Sequence, residues 1–200
     1  MLENITIAKK GEKNDLEEGK NLAKEKSYMF SEYASDSMKK KSKCVFISHK
    51  KEDAKAAVAI GEYFTKVKAI NIYLDQDDVI LQEAVSKEND KEIVESIKRG
   101  LRCSTHLLCL ISDQTRLSWW IPYEIGIAEC CGVDISCLKL KDIADLPSFL
   151  KIQKVLLDIN DFLQYVHELE PYGNYFTENK SDEISEKERE RLSLYLDGGM

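Results

Sequence analysis

The sequence predicts an α/β fold, an open parallel sheet of five strands with helices on both faces. Three observations predict it. Short apolar runs alternate with helical patterns in the order β-α-β-α-β-α-β-loop-β-α. Several of the strand runs are apolar throughout, the mark of strands covered on both faces. Hydrophobic residues make up 43% of the 200-residue chain, enough for one domain with a real core.

The elements follow in order. "CVFISH", from Cys44, is a short apolar run with β-branched residues, bounded by charge, and reads as a buried strand. "KEDAKAAVAIGEYFTKVKAI" spaces Ala54, Ala57, Val58, Ile60, Gly61 and Phe64 for a helix, with Asp53 placed to cap its start. "INIYLD" is the second strand, and "QDDVILQEAVSKEND" reads as a long, partly polar connection. "KEIVESIKRGL" puts Ile93, Ile97 and Leu101 on one side of a helix, with Gly100 near its end. "CSTHLLCLIS" is the third strand. "LSWWIPYEIGIAECCG" is a helix with Ser118 as its cap and Pro122 in the first turn, where a missing N–H costs nothing. "DISCLKL" and "KVLLDI" are two more strands around the loop or short helix "KDIADLPSFL", and "NDFLQYVHELE" is a helix.

The organisation is a polar, partly helical N-terminal extension over 1–41, one domain over 42–170, and a polar C-terminal extension over 171–200. Asp15–Tyr33 and Glu183–Leu196 are weak helix candidates in the two extensions. Leu192, Leu194, Tyr195 and Leu196 leave room for docking in the second.

Charged residues make up 32% and the net charge is −7, which argues against a nucleic-acid binder, since that needs a basic face. No apolar run approaches a membrane span, and the N-terminal residues lack a signal-peptide apolar core. A cytoplasmic location is expected. The six cysteines form no C-x-x-C pair and sit in apolar segments, so buried thiols in a reducing compartment are expected rather than zinc.

Parallel α/β sheets bind ligands at the carboxyl ends of their strands. Those ends are Ser48–Lys51, Asp75–Asp78 and Ser112–Thr115, and the helix carrying Glu124 starts just after the third. Glu124 stands in an otherwise apolar helix. From spacing alone, an acid favoured by the helix dipole is the first explanation.

Here the residues carry a family. "CVFISHKKED", "NIYLDQDD" and "LLCLISDQTRLSWWIPYEIGIA" resemble, in order, the first strand and loop, the second strand and gating loop, and the third strand and following helix of Toll/interleukin-1 receptor (TIR) domains. Ser118, Trp120 and Glu124 fit the S-x-W-x-x-x-E spacing of that helix. The resemblance covers roughly residues 42–168 and points to the bacterial, stand-alone, NAD-cleaving type. It implies a flavodoxin-like TIR fold, Glu124 as catalytic carboxylate and Trp120 as the indole that shapes the pocket.

The resemblance further implies an NAD nucleosidase or ADP-ribosyl cyclase in anti-phage defence. Its products would be nicotinamide with ADP-ribose or a cyclic isomer, and a separate effector protein would respond. NAD would be the substrate, with no cofactor and no metal. Self-association through TIR surfaces is expected, and with it weak activity for the isolated monomer. The alternatives are an adaptor that self-associates and recruits partners without catalysis, or a related nucleoside-processing enzyme such as a deoxyribosyltransferase.

Chemistry suits the first of these. Breaking the nicotinamide–ribose bond builds oxocarbenium-like charge, which a positioned carboxylate stabilises. Trp120 and Glu124 are i and i+4 and share a helix face. Ser48, His49 and Lys50 leave the first strand toward the same end, and Asp75 leaves the second. These residues, with Ser118, complete the expected substrate-binding set. For Lys50 and Lys51 a solvated turn is an equal expectation, and Asp53 is expected to cap rather than catalyse. Asp75, Asp77 and Asp78 read as a solvated acidic loop, with Gln76 and Val79–Ala84 in a mobile gate. His106 reads as a satisfied core histidine, and Trp119 as core or interface. Tyr123 and His167 carry no separate signal.

Overall fold

The computed structural model describes residues 18–24, 43–141, 143, 146–170 and 184–198. Five strands form one parallel sheet: β1 Cys44–Ser48, β2 Asn71–Leu74, β3 His106–Ile111, β4 Asp134–Lys139 and β5 Lys154–Leu156. Their order is β2-β1-β3-β4-β5, so the chain starts near the middle and reverses direction between β1 and β3. This is the flavodoxin-like order, with its switch point at the carboxyl ends of β1 and β3. β1 and β3 are buried along their whole length, as strands covered on both faces must be.

Helices cover each face. α1 (Ala54–Glu62), extended by a π segment Tyr63–Val67, lies on one face together with α5 (Ile159–Leu169). Phe162 of α5 meets Tyr63 and Phe64 there, at ring-centroid separations of 5.7 and 5.6 Å. A Cβ on Gly61 would sit 2.9 Å from the Ile72 side chain, so the glycine lets α1 close onto the sheet.

On the opposite face α3 (Asp90–Arg102) and α4 (Trp120–Cys130) pack side by side. Gly100 lies in the last turn of α3, near its end as expected. A Cβ there would meet the Tyr73 ring at 2.6 Å and Phe46 at 2.8 Å, so its role is close helix–sheet approach. α4 ends on Gly132, whose φ of +65° closes the helix at low steric cost.

The connection after β2 differs from expectation. Val79–Ser86 is a helix, α2, not a loop. Asp78 caps it, and Leu81 and Ala84 bury its inner face while Val79 and Val85 stay exposed.

The flanking segments pack into the same body. Ile72 N–H donates to Lys20 O and Gly19 N–H to Thr65 O, each at 2.9 Å, and Leu22 and Ala23 are buried. Most of the helix expected over Asp15–Tyr33 lies outside the described residues; within them, Leu22–Lys24 form a 3-10 turn. At the other end α6 (Glu186–Leu192) contacts α1, with Arg191 paired to Glu62. Leu192 and Leu196 are fully buried, and Tyr195 O accepts from Lys141 N–H at 2.9 Å. Leu194 remains exposed. No helix among the described residues is long and apolar enough to cross a membrane.

Candidate active site

Strand register builds the site. Ser48 pairs with Cys109 of β3, and Cys109 pairs with Cys137 of β4. Asp75 follows the last β1–β2 pair, Ile47 with Leu74, and so continues the same row on the far side of Ser48. Residues level across neighbouring strands point to the same face. The row therefore lies under α4, at the carboxyl end of the sheet.

Glu124 reaches this row from the first turns of α4 and is 5% exposed. Ser48 Oγ–H donates to Glu124 Oε2. Burial, then the nearby Asp75 carboxylate, push the Glu124 carboxyl up to about 8, while the Ser48 hydrogen bond pulls the other way. Burial also raises Asp75, and the neighbouring His49 opposes that shift.

His49 Nδ1 lies 3.4 Å from Asp75 Oδ1, with the imidazole 3% exposed. That nitrogen makes no hydrogen bond of good geometry and is buried. Asp53 stands near His49 too, and burial raises its carboxyl. Its side chain does not cap α1 as expected. It accepts from Ser112 Oγ–H at 2.6 Å and ties the loop after β1 to the loop after β3.

Ser118 performs the expected capping: its Oγ accepts from Ile121 N–H at 3.2 Å. Trp120 is 39% exposed, and its ring stands edge-on to Tyr123 at 6.0 Å. Trp119 is 92% exposed, so it is not core. Lys50 is half-buried beside the site and Lys51 is exposed. Thus Ser48, His49, Asp75 and Glu124 converge, while Ser118 acts on the helix that carries Glu124.

The three aspartates of the second loop do not form a solvated cluster. Asp78 is fully buried, Asp77 Oδ2 accepts from Asn21 Nδ2–H at 2.8 Å, and Asp75 faces His49. Each serves a different partner. Asp75 alone belongs to the site.

The cysteines divide. Cys44, Cys109 and Cys137 are buried, Cys103 is half-buried, and Cys130 and Cys131 are exposed, all as free thiols. The end of α4 lies at the surface, which the apolar sequence around the last two does not reveal. His106 is the satisfied core histidine expected. Thr105 Oγ1 is 2.8 Å from its Nδ1, and burial lowers its pKa to about 4.

Sequence reasoning missed the Ser112–Asp53 latch and the Cys109–Cys137 pair. The latch had no local signal, because its members are 59 residues apart. The cysteine pair appears only when strands are aligned, although each cysteine stood in a run read as a strand.

The family described as Thoeris protein ThsB, TIR-like domain, matches this chain over residues 46–142. The match runs from within β1 to just past β4 and includes Ser48, His49, Asp75 and Glu124, the residues that converge, together with Trp120. No curated protein matches the chain.

Proposed function

The chain carries an anti-phage TIR-type domain of the Thoeris ThsB kind, and from that premise we propose that it cleaves the nicotinamide–ribose bond of NAD. The observation that carries this reading is Glu124, a buried carboxyl at the switch point of the sheet that receives a hydrogen bond from Ser48. A saturated carboxylate would serve the fold. One that, among the described residues, accepts from Ser48 and is buried from water can respond to a cationic ligand.

The chemistry follows from charge. The nicotinamide ring of NAD is cationic, and it leaves as a neutral molecule. Positive charge moves onto the ribose in the transition state. Glu124 as carboxylate stabilises that charge, and the stabilisation is strong where water is excluded. Ser48 orients the carboxylate. Trp120, one helical turn before Glu124, offers its half-exposed face to the flat base. Asp75 and His49 line the ribose side, and Lys50 supplies positive charge toward the diphosphate.

Free Glu124, with its pKa near 8, is mostly protonated at neutral pH. Arrival of the cationic ring favours its ionisation, so binding and activation are coupled. Water attack then gives ADP-ribose, and attack by a nucleophile of the adenosine half gives a cyclic isomer. In a defence setting either product acts as a signal to a separate effector, and self-association tunes its output.

Purified protein incubated with NAD, beside Glu124→Gln, tests the reading across protein concentration. Nicotinamide release by the wild type and its loss in the variant is the expected result. The co-product separates hydrolase from cyclase. Equal turnover by both proteins would remove Glu124 from the chemistry. A second reading, an adaptor without catalysis, draws on the exposed Leu117 and Trp119 beside the site. It predicts concentration-dependent assembly with no nicotinamide release from either protein.

A further inference from the structure

β2 is an edge strand of the sheet, and residues 18–24 run along its open side as a strap. Gly19 N–H donates to Thr65 O, and Lys20 O accepts from Ile72 N–H, each at 2.9 Å. Asn21 makes a parallel bridge with Ile72. Gly19 makes this seat possible. A Cβ there would stand 2.6 Å from the Ile70 carbonyl carbon and 2.8 Å from its nitrogen, backbone that has no room to give way. Leu22 and Ala23 then turn inward and are buried.

The main-chain ladder stops at Ile72, and the Asn21 side chain carries it on. Outward N–H groups of a strand recur every second residue, so the next is Leu74. It donates to Asn21 Oδ1 at 3.3 Å. Ala23 N–H gives the same oxygen a second donor at 3.2 Å. Asn21 Nδ2–H donates to Asp77 Oδ2 at 2.8 Å. Between Leu74 and Asp77 lies the start of a single 3-10 turn, Asp75–Asp77. One amide therefore holds the chain on both sides of Asp75. Only an amide can accept from backbone N–H groups and donate to a carboxylate at once from so short a side chain. Lys24 Nζ, 3.4 Å from Asp77 Oδ2, is exposed and adds little.

We propose that Asn21 is a positioning residue of the active site, whose side-chain amide pins the turn that presents Asp75. The proposal rests on the reading of Asp75 as the ribose-side carboxylate of that site. It makes the strap part of the site's geometry, although Asn21 touches neither Glu124 nor the bond that breaks. Inside the turn, Gln76 N–H donates to Asp75 Oδ1 at 2.7 Å and Asp78 N–H to Asp75 O at 3.0 Å. From α2, Gln82 Nε2–H donates to Asp75 O at 3.3 Å. These bonds shape the turn, and Asn21 fixes where it stands against the sheet. An Asp75 set loose binds the ribose less well in ground and transition state alike, so the loss falls on KM rather than kcat.

Two variants of opposite charge test this. Asn21→Asp keeps the acceptor for Leu74 N–H but sets a carboxylate against Asp77. Asp77→Ala removes the acceptor of the Asn21 amide and one negative charge. Both are expected to raise KM for NAD about fivefold, the scale of one hydrogen bond, with kcat nearly unchanged. Both should also speed amide exchange at Gln76 and Asp78 by a similar factor, while Ile72, bonded to Lys20 O, stays protected. Asn21→Asp combined with Asp77→Asn restores a carboxylate–amide pair and should return KM and exchange toward the wild type. KM changes of opposite sign would mean a charge effect and overturn the proposal. So would unchanged exchange at the turn, or an equal rise at Ile72, which would make Asn21 a clamp of the edge strand alone. Should Asn21→Asp fail to fold, Asp77→Ala carries the test with the same expectations. Absence of nicotinamide release from the wild type would sink the enzyme reading, while exchange at Gln76 and Asp78 against Ile72 still decides whether Asn21 holds the turn.

Discussion

Asp78 and Glu124 are two buried acids in a single core, and they are treated in opposite ways. Asp78 Oδ1 accepts from Ile80 N–H at 2.9 Å and Leu81 N–H at 3.1 Å, and Oδ2 accepts from the Tyr73 hydroxyl. Three donors and a helix N-terminus surround it. Glu124 receives its hydrogen bond, among the described residues, from Ser48 and faces a second carboxylate at Asp75. A buried carboxylate with saturated oxygens is structural, because its charge is already compensated. One left short of donors and beside a like charge keeps its proton instead, and its charge is called out by a cationic ligand.

The largest expected effect breaks the pair by function. Glu124→Gln keeps shape and removes the charge, and NAD cleavage should fall by roughly 10³-fold or more, the scale of lost transition-state electrostatics. Asp78→Asn leaves the site untouched and should retain most activity wherever the protein is folded. Nicotinamide release from the two variants at 20 °C checks this. Equal losses would mean that the donor count does not distinguish the two acids.

Stability should sort them the other way. Asp78→Ala removes a helix cap and leaves the Tyr73 hydroxyl buried without its acceptor, together worth about 3 kcal/mol. For a chain of this size that lowers Tm by roughly 8 °C. Glu124→Gln should stabilise, by an amount that grows with pH. Folded Glu124 ionises near 8 and the unfolded chain near the ordinary carboxylate value, so the native state binds the extra proton between them. Wild-type stability therefore falls as pH rises through that window, by on the order of a few kcal/mol in total. The Tm advantage of Glu124→Gln should be small at pH 5 and large at pH 9. The same carboxyl shapes activity: kcat/KM for NAD should climb about tenfold per pH unit below 8 and level off above it. A Tm difference that does not change with pH would place Glu124 in a solvated setting.

The comparison also explains what the sequence could disclose. All five strands were legible, because short continuous apolar runs bounded by polar residues, such as Val45–Ile47 and Leu107–Ile111, suit strands covered on both faces. Glu124 was legible as an acid on an apolar helix one turn from a tryptophan. Asp78 was not. "DDVILQEA" holds a capping aspartate and helical apolar spacing, but three adjacent carboxylates suggested solvent, and only tertiary contacts assign each a partner. Capping by Asp53 failed for the same reason: Ser112, remote in sequence, takes its carboxylate. The two polar extensions offered little signal because charge dominates them. Leu22, Leu192 and Leu196, which are buried, are too sparse to form a pattern.

The smallest effect sharpens the contrast at the rim of the site. Trp120 sits on the same helix face as Glu124, half exposed, with Tyr123 edge-on to it. If the indole stacks on the nicotinamide ring, its loss should weaken binding by the worth of one aromatic stack, and KM for NAD should rise about tenfold in Trp120→Ala. Trp120→Phe preserves a flat face and should recover most of that loss. Trp119 supplies the control. It is adjacent in sequence but turned about 100° around the helix, and its ring lies almost wholly in water. Trp119→Ala should leave KM unchanged at fixed protein concentration and alter only how activity depends on that concentration. A KM rise of equal size in both alanine variants would move the binding surface off the Glu124 face and onto the outer face of α4, where a neighbouring copy, not the substrate, is the natural contact.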